Sequence, residues 1–343
     1  MMDLTVREIS ASDRSIWDEL INASPQGSVF LLNDCITVWA ASEPALQLVR
    51  FGCFDRSNQL LGGQAFLYKE KAPGVRVQPI LNMSYSCSPI LARGIDQGSQ
   101  EYSAVMQALA RKVEKYFLYF SVECHPSLRD VRPLLQRGWR AVPDYAHTWE
   151  INDREALITK LCCKGRYRHV NAALEHLVFA DETGVAIIDE FIPLYKESAH
   201  RYDVEIGKTW GSACRKRVEW MLAQGLIRFY TCRKKDGTLL GIANYVLSRP
   251  DRTAYGWLLA YNLSCGEKDF LPALYLYSIQ SLPAEFQRID IAEGIRPALY
   301  DFKDSLGTNS TLFFRAETPS ARTWKRIYDT LRNLKAAARR TSP

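Results

Sequence analysis

The residues best suited to chemistry crowd one segment, Asp290 to Gly307, which reads DIAEGIRPALYDFKDSLG. Asp290 and Glu293 fall at the end of an apolar run expected to be a strand over Ile289–Ala292, a place where ligands reach side chains. Either acid could orient or deprotonate an amine, and either could equally cap or anchor a loop. Lys303 lies one turn into a helix expected over Tyr300–Leu306 and closed by Gly307, with Tyr300 and Asp301 as weaker candidates on the same turn. A second group is cationic. Lys160, Lys164, Arg166 and Arg168 give one basic stretch within a helix expected from Arg154 to Leu177, and Arg166 and Arg168 suit bidentate phosphate binding, although a basic helix face is also commonly just solvated. Tyr85, Ser86 and Ser88 stand around Pro89 in an irregular segment that could line a cleft or form an ordinary loop. His125 follows a strand end, where it could be a base or a structural histidine.

Other chemistries are excluded by what is missing. His169 and His176 are not spaced i, i+4, no HExxH occurs, and no CxxC occurs among the nine cysteines, so a zinc centre has no ligand set. Neither a P-loop nor a GxSxG elbow is present. The cysteines are odd in number and sit in apolar stretches, as free thiols do in a reducing compartment. Hydrophobic content of 47% and charged content of 24% are those of a soluble globular chain. No apolar run approaches the roughly 18 residues of a membrane span. The start, MMDLTVREIS, lacks the basic and apolar regions of a signal peptide, so a cytoplasmic protein is expected. The net charge of +6 is carried by the second half and the tail, which suits a phosphate-bearing ligand but falls short of a dedicated nucleic-acid binder.

These residues must be positioned by a duplicated scaffold. Leu226–Tyr245 alternates two apolar runs around Lys234-Lys235-Asp236-Gly237, the pattern of a β-hairpin. Leu48–Phe66 repeats it: Leu48-Val49-Arg50-Phe51 answers Leu226-Ile227-Arg228-Phe229, and Leu60-Leu61-Gly62 answers Leu239-Leu240-Gly241 (226 − 48 = 178; 239 − 60 = 179). Phe117–Glu123 and Gly138 then answer Phe286–Ala292 and Gly307 at an offset of 169 (286 − 117; 307 − 138). Helices are expected at 12–23, 100–116, 128–137, 189–202, 212–223 and 271–282, and strands at 46–54, 60–68, 117–122, 253–261, 289–292 and 311–315. Tyr255, Trp257 and Tyr261 are expected on one buried face of their strand. The domain division follows: 1–145, 146–318, and a terminal amphipathic helix with a basic tail over 319–343.

This order of elements, taken twice, resembles tandem domains of the GNAT acyltransferase superfamily. The second half resembles more narrowly the Fem family of aminoacyl transferases and the acetyltransferase-like domains of polysaccharide-biosynthesis proteins. Three stretches carry the resemblance: Lys164-Gly165-Arg166-Tyr167-Arg168 with Ala172-Ala173, Leu239-Leu240-Gly241-Ile242-Ala243, and Asp290-Ile291-Ala292-Glu293-Gly294 with Leu299 to Gly307. It covers about residues 145–315 clearly and the first half through the repeat. The resemblance implies an α/β (α+β) fold of two tandem GNAT-like domains, each a mixed, largely antiparallel sheet flanked by helices.

Acyl transfer to an amine needs the amine deprotonated, the oxyanion stabilised and the reactants aligned. The resemblance implies that Lys303 stabilises charge, Asp290 or Glu293 positions the amine, and Arg166 and Arg168 hold donor phosphates. Arg201 is similar to a family arginine near the acceptor, while Tyr300, Tyr85 and Ser86 are candidates for substrate contact. No tightly bound cofactor is expected; the donor enters as co-substrate. The acetyl-CoA-binding members' Q/R-x-x-G-x-G/A loop occurs in neither half, which favours aminoacyl-tRNA, with acyl-CoA as the alternative. The acceptor implied is an amine of a cell-envelope precursor or similar small molecule. A non-catalytic scaffold built on a degenerate pair is the reading from another class.

Overall fold

The computed structural model describes residues 2–72, 74–79, 83–162, 170–201, 206–267, 269–293 and 297–320. In chain order the first half supplies β1 (Thr5–Glu8), α1 (Arg14–Ala23), α2 (Asn33–Ser42), β2 (Gln47–Phe54), β3 (Leu60–Ala72), β4 (Val75–Val77), β5 (Ile90–Leu91), α3 (Gln100–Tyr116), β6 (Ser121–Glu123), α4 (Arg132–Gln136) and β7 (Arg140–Glu150). The second half supplies α5 (Arg154–Cys162), α6 (Val170–His176), β8 (Val178–Glu182), α7 (Ile187–His200), α8 (Trp210–Ala223), β9 (Ile227–Arg233) and β10 (Leu239–Ser248). It continues with β11 (Thr253–Tyr261), α9 (Phe270–Ser281), β12 (Arg288–Glu293), α10 (Pro297–Ser305) and β13 (Asn309–Glu317). One sheet runs β1-β2-β3-β4 with β5 also on β3; the other runs β6-β13-β7-β12-β11-β10-β9-β8. Among the described residues every pairing is antiparallel except β11 with β12.

The two hairpins repeat down to single hydrogen bonds. In the β2–β3 turn Asn58 has φ +61°, Asp55 N–H donates to Gln59 O, and Asn58 N–H donates to Asp55 O. In the β9–β10 turn Gly237 has φ +89°, Lys234 N–H donates to Thr238 O, and Gly237 N–H donates to Lys234 O. Asn and Gly are the residues that enter the left-handed region at least cost. The pairing then slips at the same place, with Leu61 skipped between Phe54–Leu60 and Cys53–Gly62, and Leu240 skipped between Arg233–Leu239 and Cys232–Gly241. Such bulges twist a strand so that it wraps its helix.

The halves exchange strands. β7 and β13 pair with Asp144 opposite Phe313, and these two are each other's counterparts in the repeat, so a pseudo-two-fold axis passes between them. β12 pairs with β7, and reciprocally β6 pairs with β13. The expected boundary at 145/146 lies within β7.

Burial follows this exchange. One core packs α3 (Tyr102, Val105, Leu109, Val113) on β2, β3 and β6 and takes in Ala316 from β13. A second packs α9 on β9 and β10 and takes in Trp149 from β7. Helix α9 is apolar nearly all round because strands cover one side and α6 lies on another. A third core lies between the halves, where Trp17, Phe30 and Trp39 meet Phe191, Val218 and Tyr255.

Several expected boundaries shift. Helix α2 and strand β8 carry no clear periodicity and were not anticipated. Phe117 caps α3, so β6 begins only at Ser121. The helix expected over 154–177 is seen as α5 and α6, with 163–169, including Arg166, Arg168 and His169, outside the described residues. The terminal helix likewise lies outside them.

Candidate active site

The sheet divides where the chemistry-bearing residues collect. β11 and β12 pair only over Thr253–Tyr255 and Arg288–Asp290. Beyond this, β11 stays with β10 while β12 stays with β7, the latter pairing slipping between Asp290 and Glu293. β11 is itself bulged: Trp257 and Leu258 stand opposite the single residue Asn244, whose Oδ1 accepts Leu258 N–H at 3.1 Å. The extra residue reverses the alternation. Tyr255 thus joins the core between the halves and Tyr261 the α9 core, which corrects the expectation of one shared face. Diverging strands with a bulge beside the gap turn backbone groups towards whatever enters it.

Asp290 ends the paired part of β12 and is 3% exposed. Its Oδ2 accepts the Tyr85 hydroxyl at 3.1 Å, so an acid of the second half is held by a phenol of the first. Tyr85 sits in a turn with φ +56°, where a non-glycine residue is strained. Its ring lies edge-on to His125 (centroids 5.4 Å apart) and to Phe313 (5.7 Å). Behind it the Tyr255 hydroxyl donates to Asp251 Oδ2 at 2.5 Å, and His125 Nε2 lies 3.7 Å from the same oxygen. Burial, then the charge of the neighbouring carboxylates, pushes both phenols well above the ordinary tyrosine range. Both therefore remain donors.

On the other face of the sheet lies α10. Thr148 pairs with Asp290 and shares its face; His147, one residue earlier, points the opposite way and meets Tyr300 of α10, ring centroids 4.4 Å apart. Lys303 Nζ donates to Ile291 O at 2.6 Å, at the slipped part of β12. Thr308 Oγ1 donates to Lys303 O at 3.0 Å, so it accepts from His147 Nδ1, also at 3.0 Å, and the imidazole carries its proton on Nδ1. Burial first, and the Lys303 ammonium second, hold His147 below the usual histidine range against a smaller pull from Asp304. Lys303 and Asp290 thus reach β12 from opposite faces of the sheet.

The remaining expected residues distribute as follows. Tyr85 and Ser86 line a cavity of about 260 Å³ with Tyr119, Ser121 and Glu123, on the first-half side of Tyr85. Asp301 is exposed on α10. Arg201 ends α7 in an ion pair with Glu197 on its own helix. The backbone of Glu293 pairs with Ala146. Ser88 is fully buried and its hydroxyl accepts His125 N–H at 2.9 Å, a loop-building role. His147 and the Asp251–Tyr255 pair had no motif to announce them. The Tyr85–Asp290 contact joins residues 205 apart, which no local pattern could have revealed. No group of His, Cys, Asp and Glu able to hold a metal occurs among the described residues, and no helix there is long and apolar enough to cross a membrane.

A chain built of two strand-exchanged halves, each with a bulged hairpin, a helix and a dividing sheet, has the tandem GNAT fold, mixed α/β and mostly antiparallel. Among solved structures it is similar to FemX, at 12% identity over 90% of this chain and 96% of that one, with a TM-score of 0.63. It is also similar to the C-terminal domain of a putative lysylphosphatidylglycerol synthetase from Agrobacterium fabrum (12% identity, 94% and 96% of the two chains, TM-score 0.55). A tandem GNAT protein from the clavulanic acid biosynthesis pathway matches at 13% identity over 92% and 99%, with a TM-score of 0.52. No family model and no curated protein matches the sequence.

Proposed function

We propose that this protein is an N-acyltransferase that moves an acyl or aminoacyl group from an activated donor to an amine. The observation that carries the reading is the parting of β11 and β12 beside Asp290, with Lys303 on the carbonyl of Ile291, the next residue along β12. The acceptor nitrogen attacks the donor carbonyl carbon, and its proton passes to Asp290 directly or through a water. Lys303 stabilises the tetrahedral oxyanion, which collapses with loss of the tRNA hydroxyl or the CoA thiolate. Glu293 remains a candidate to position the amine and Tyr300 one to contact the donor, while Tyr85 and Ser86 are the proposed acceptor contacts from the first half.

Aminoacyl-tRNA is the donor this reading favours. A pyrophosphate is bound best at a glycine-rich helix start, by free N–H groups and the helix dipole. The helix after β11 instead begins with Asp269, and Glu267 just before it pairs with Lys234 and His176. The stretch Gly266-Glu267-Lys268-Asp269 is not the glycine-rich start that a pyrophosphate uses. Arg166 and Arg168 remain the proposed contacts for donor phosphates, and FemX and the lysylphosphatidylglycerol synthetase domain lend the suggestion of an envelope acceptor.

Two titrations at modest salt test this, one with acetyl-CoA and one with aminoacylated tRNA. The expected result is no heat with acetyl-CoA and saturable tRNA binding that weakens as salt rises. Micromolar acetyl-CoA binding would transfer the assignment to an acyl-CoA enzyme. Failure of both donors would leave a binding protein on this fold.

A further inference from the structure

The bulge in β11 is held by a side chain that packing alone does not require. Asn244 lies in the middle of β10 and is 2% exposed, with Phe229 of β9 opposite it on one side and the bulge residues Trp257 and Leu258 on the other. Its Oδ1 accepts Leu258 N–H at 3.1 Å, which settles the amide's orientation, because the flipped group would set N–H against N–H. Nδ2 then has no hydrogen-bond partner among the described residues. A buried amide donor left unpaired costs free energy that an apolar side chain would not. The first half shows that alternative. At the offset of the hairpin repeat (239 − 60 = 179) Asn244 answers Ala65, which is fully buried in the core between the halves, as are Ile242 and Val246 on either side of Asn244. Among the described residues β3 meets β5 only through Gly62–Leu91 and Gly63–Ile90, and no bulge stands opposite Ala65. The amide and the bulge thus occur together in one half and are both missing from the other.

The bulge begins two residues after Tyr255, the last residue of β11 to pair with β12, where it stands opposite Asp290. Between them, Gly256 brings β11 so near to β12 that a Cβ would lie 3.3 Å from Ile291 Cγ2 and 3.4 Å from Asp290 O. Trp257 packs edge-on to Trp39 of the first half, ring centroids 6.1 Å apart. With Leu258 tied to Asn244, both bulge residues are fixed at the point where the two strands part. We propose that Asn244 is a positioning residue for acyl transfer: it holds the β11 bulge and so sets how the main chain of 256–258 meets the acyl donor beside Asp290. Its amide does not touch the donor and acts through Leu258 N–H, which it keeps from closing back onto the backbone of β10. The unpaired Nδ2 is the cost of that arrangement, and the first half, with Ala65, does not bear it.

This inference rests on the transferase reading for what the donor delivers, but its first test is one of exchange and binding. Amide exchange over 256–259 is followed by NMR on the full chain, alone and with aminoacylated tRNA or acetyl-CoA. The donor that serves should slow exchange there about tenfold. Asn244→Leu should speed exchange of Leu258 N–H about tenfold and abolish the protection given by the donor. Its melting transition should stay close to that of the parent protein, because the unpaired Nδ2 disappears as Leu258 N–H loses its acceptor. Asn244→Asp keeps an acceptor in the same place and should restore slow exchange. In transfer assays Asn244→Leu should lower kcat about tenfold and leave KM for the acceptor amine unchanged. Ile242→Val, two residues along the same face of β10, should alter none of these readouts. The proposal is overturned by no effect of either donor over 256–259, by unchanged Leu258 exchange in Asn244→Leu, or by the same losses in Ile242→Val. Donor protection as expected without any acyl transfer would end the transferase reading and leave Asn244 positioning the bulge for a bound ligand; transfer indifferent to Asn244→Leu would do the reverse.

Discussion

The two halves place the same backbone around different side chains. At positions related by the repeat, the first half carries Ser121, Val131 and Leu134, and the second carries Asp290, Tyr300 and Lys303. Leu134 is 1% exposed and packs in the same core as Val122; Lys303, its counterpart, sends its ammonium to the carbonyl of Ile291, the counterpart of Val122. The same helix-to-strand approach is thus apolar in one copy and charged in the other. A strand-exchanged duplication makes this affordable, since each copy helps to complete the other's sheet and one can specialise in packing. The first half then opens a cavity where the second presents an acid.

The largest contrast should appear when matched positions are changed. Asp290→Asn and Lys303→Met should each lower turnover about 100-fold, with the melting temperature close to that of the parent protein. Leu134→Ala, at the position matching Lys303, should cost about 2–5 kcal/mol of stability through the cavity it leaves. Where the protein remains folded, its turnover should survive. Thermal melts and initial rates on the same preparations decide it. If Lys303→Met destabilises as Leu134→Ala does, and turns over normally, the second copy is only another packing unit.

A smaller effect separates the two helix ends. Gly138 and Gly307 follow α4 and α10 with φ +80° and +72°, the left-handed turn that closes a helix. A Cβ at Gly138 would have Pro319 at 3.7 Å, an ordinary contact, whereas at Gly307 it would fall 2.7 Å from Leu161 Cδ2. Gly138→Ala should therefore cost about 1 kcal/mol, the backbone penalty alone. Gly307→Ala should cost more, because Leu161 must move as well. Equal losses in denaturant titrations would show that Leu161 yields freely and that the two ends are equivalent.

Much of this symmetry was legible in the order of residues, for reasons that can be located. The hairpins were readable because alternation and a turn residue, Asn58 or Gly237, are local properties. Gly138 and Gly307 announced helix ends for the same reason. What could not be read was the partner of each strand. Residues 140–150 alternate poorly, since their sheet face is half exposed at Val142 and Tyr145 and buried at Ala146 and His147. The exchange of β7 and β6 with β12 and β13 lies in pairings between residues 138 to 196 apart (288 − 150; 317 − 121). The cluster at 290–303 stood out by residue type alone. Its separation onto two faces of β12 depended on the slipped register between Asp290 and Glu293, and that has no signature in the side chains.

The smallest expected difference is one of pH, and it belongs to His147 of β7, whose counterpart in the repeat is Ala316 of β13. Burial and the Lys303 charge hold the folded imidazole below its ordinary value, so the unfolded chain binds a proton more readily than the native one. The stabilisation from the neutral ring is complete above the unfolded value of about 6.5 and is lost as pH falls through that value towards the folded one. Carboxylates held low by arginines and lysines, such as Glu43 and Glu114, act in a more acidic window. Melting followed between about pH 7 and pH 5.5 should therefore show a decline that His147→Gln flattens. Lys303→Met should flatten it in part, because it removes the second cause and leaves the first. A decline untouched by either change would mean that His147 reaches water in the native protein, and that the α10 face of the second half is more open than its counterpart around Ala316.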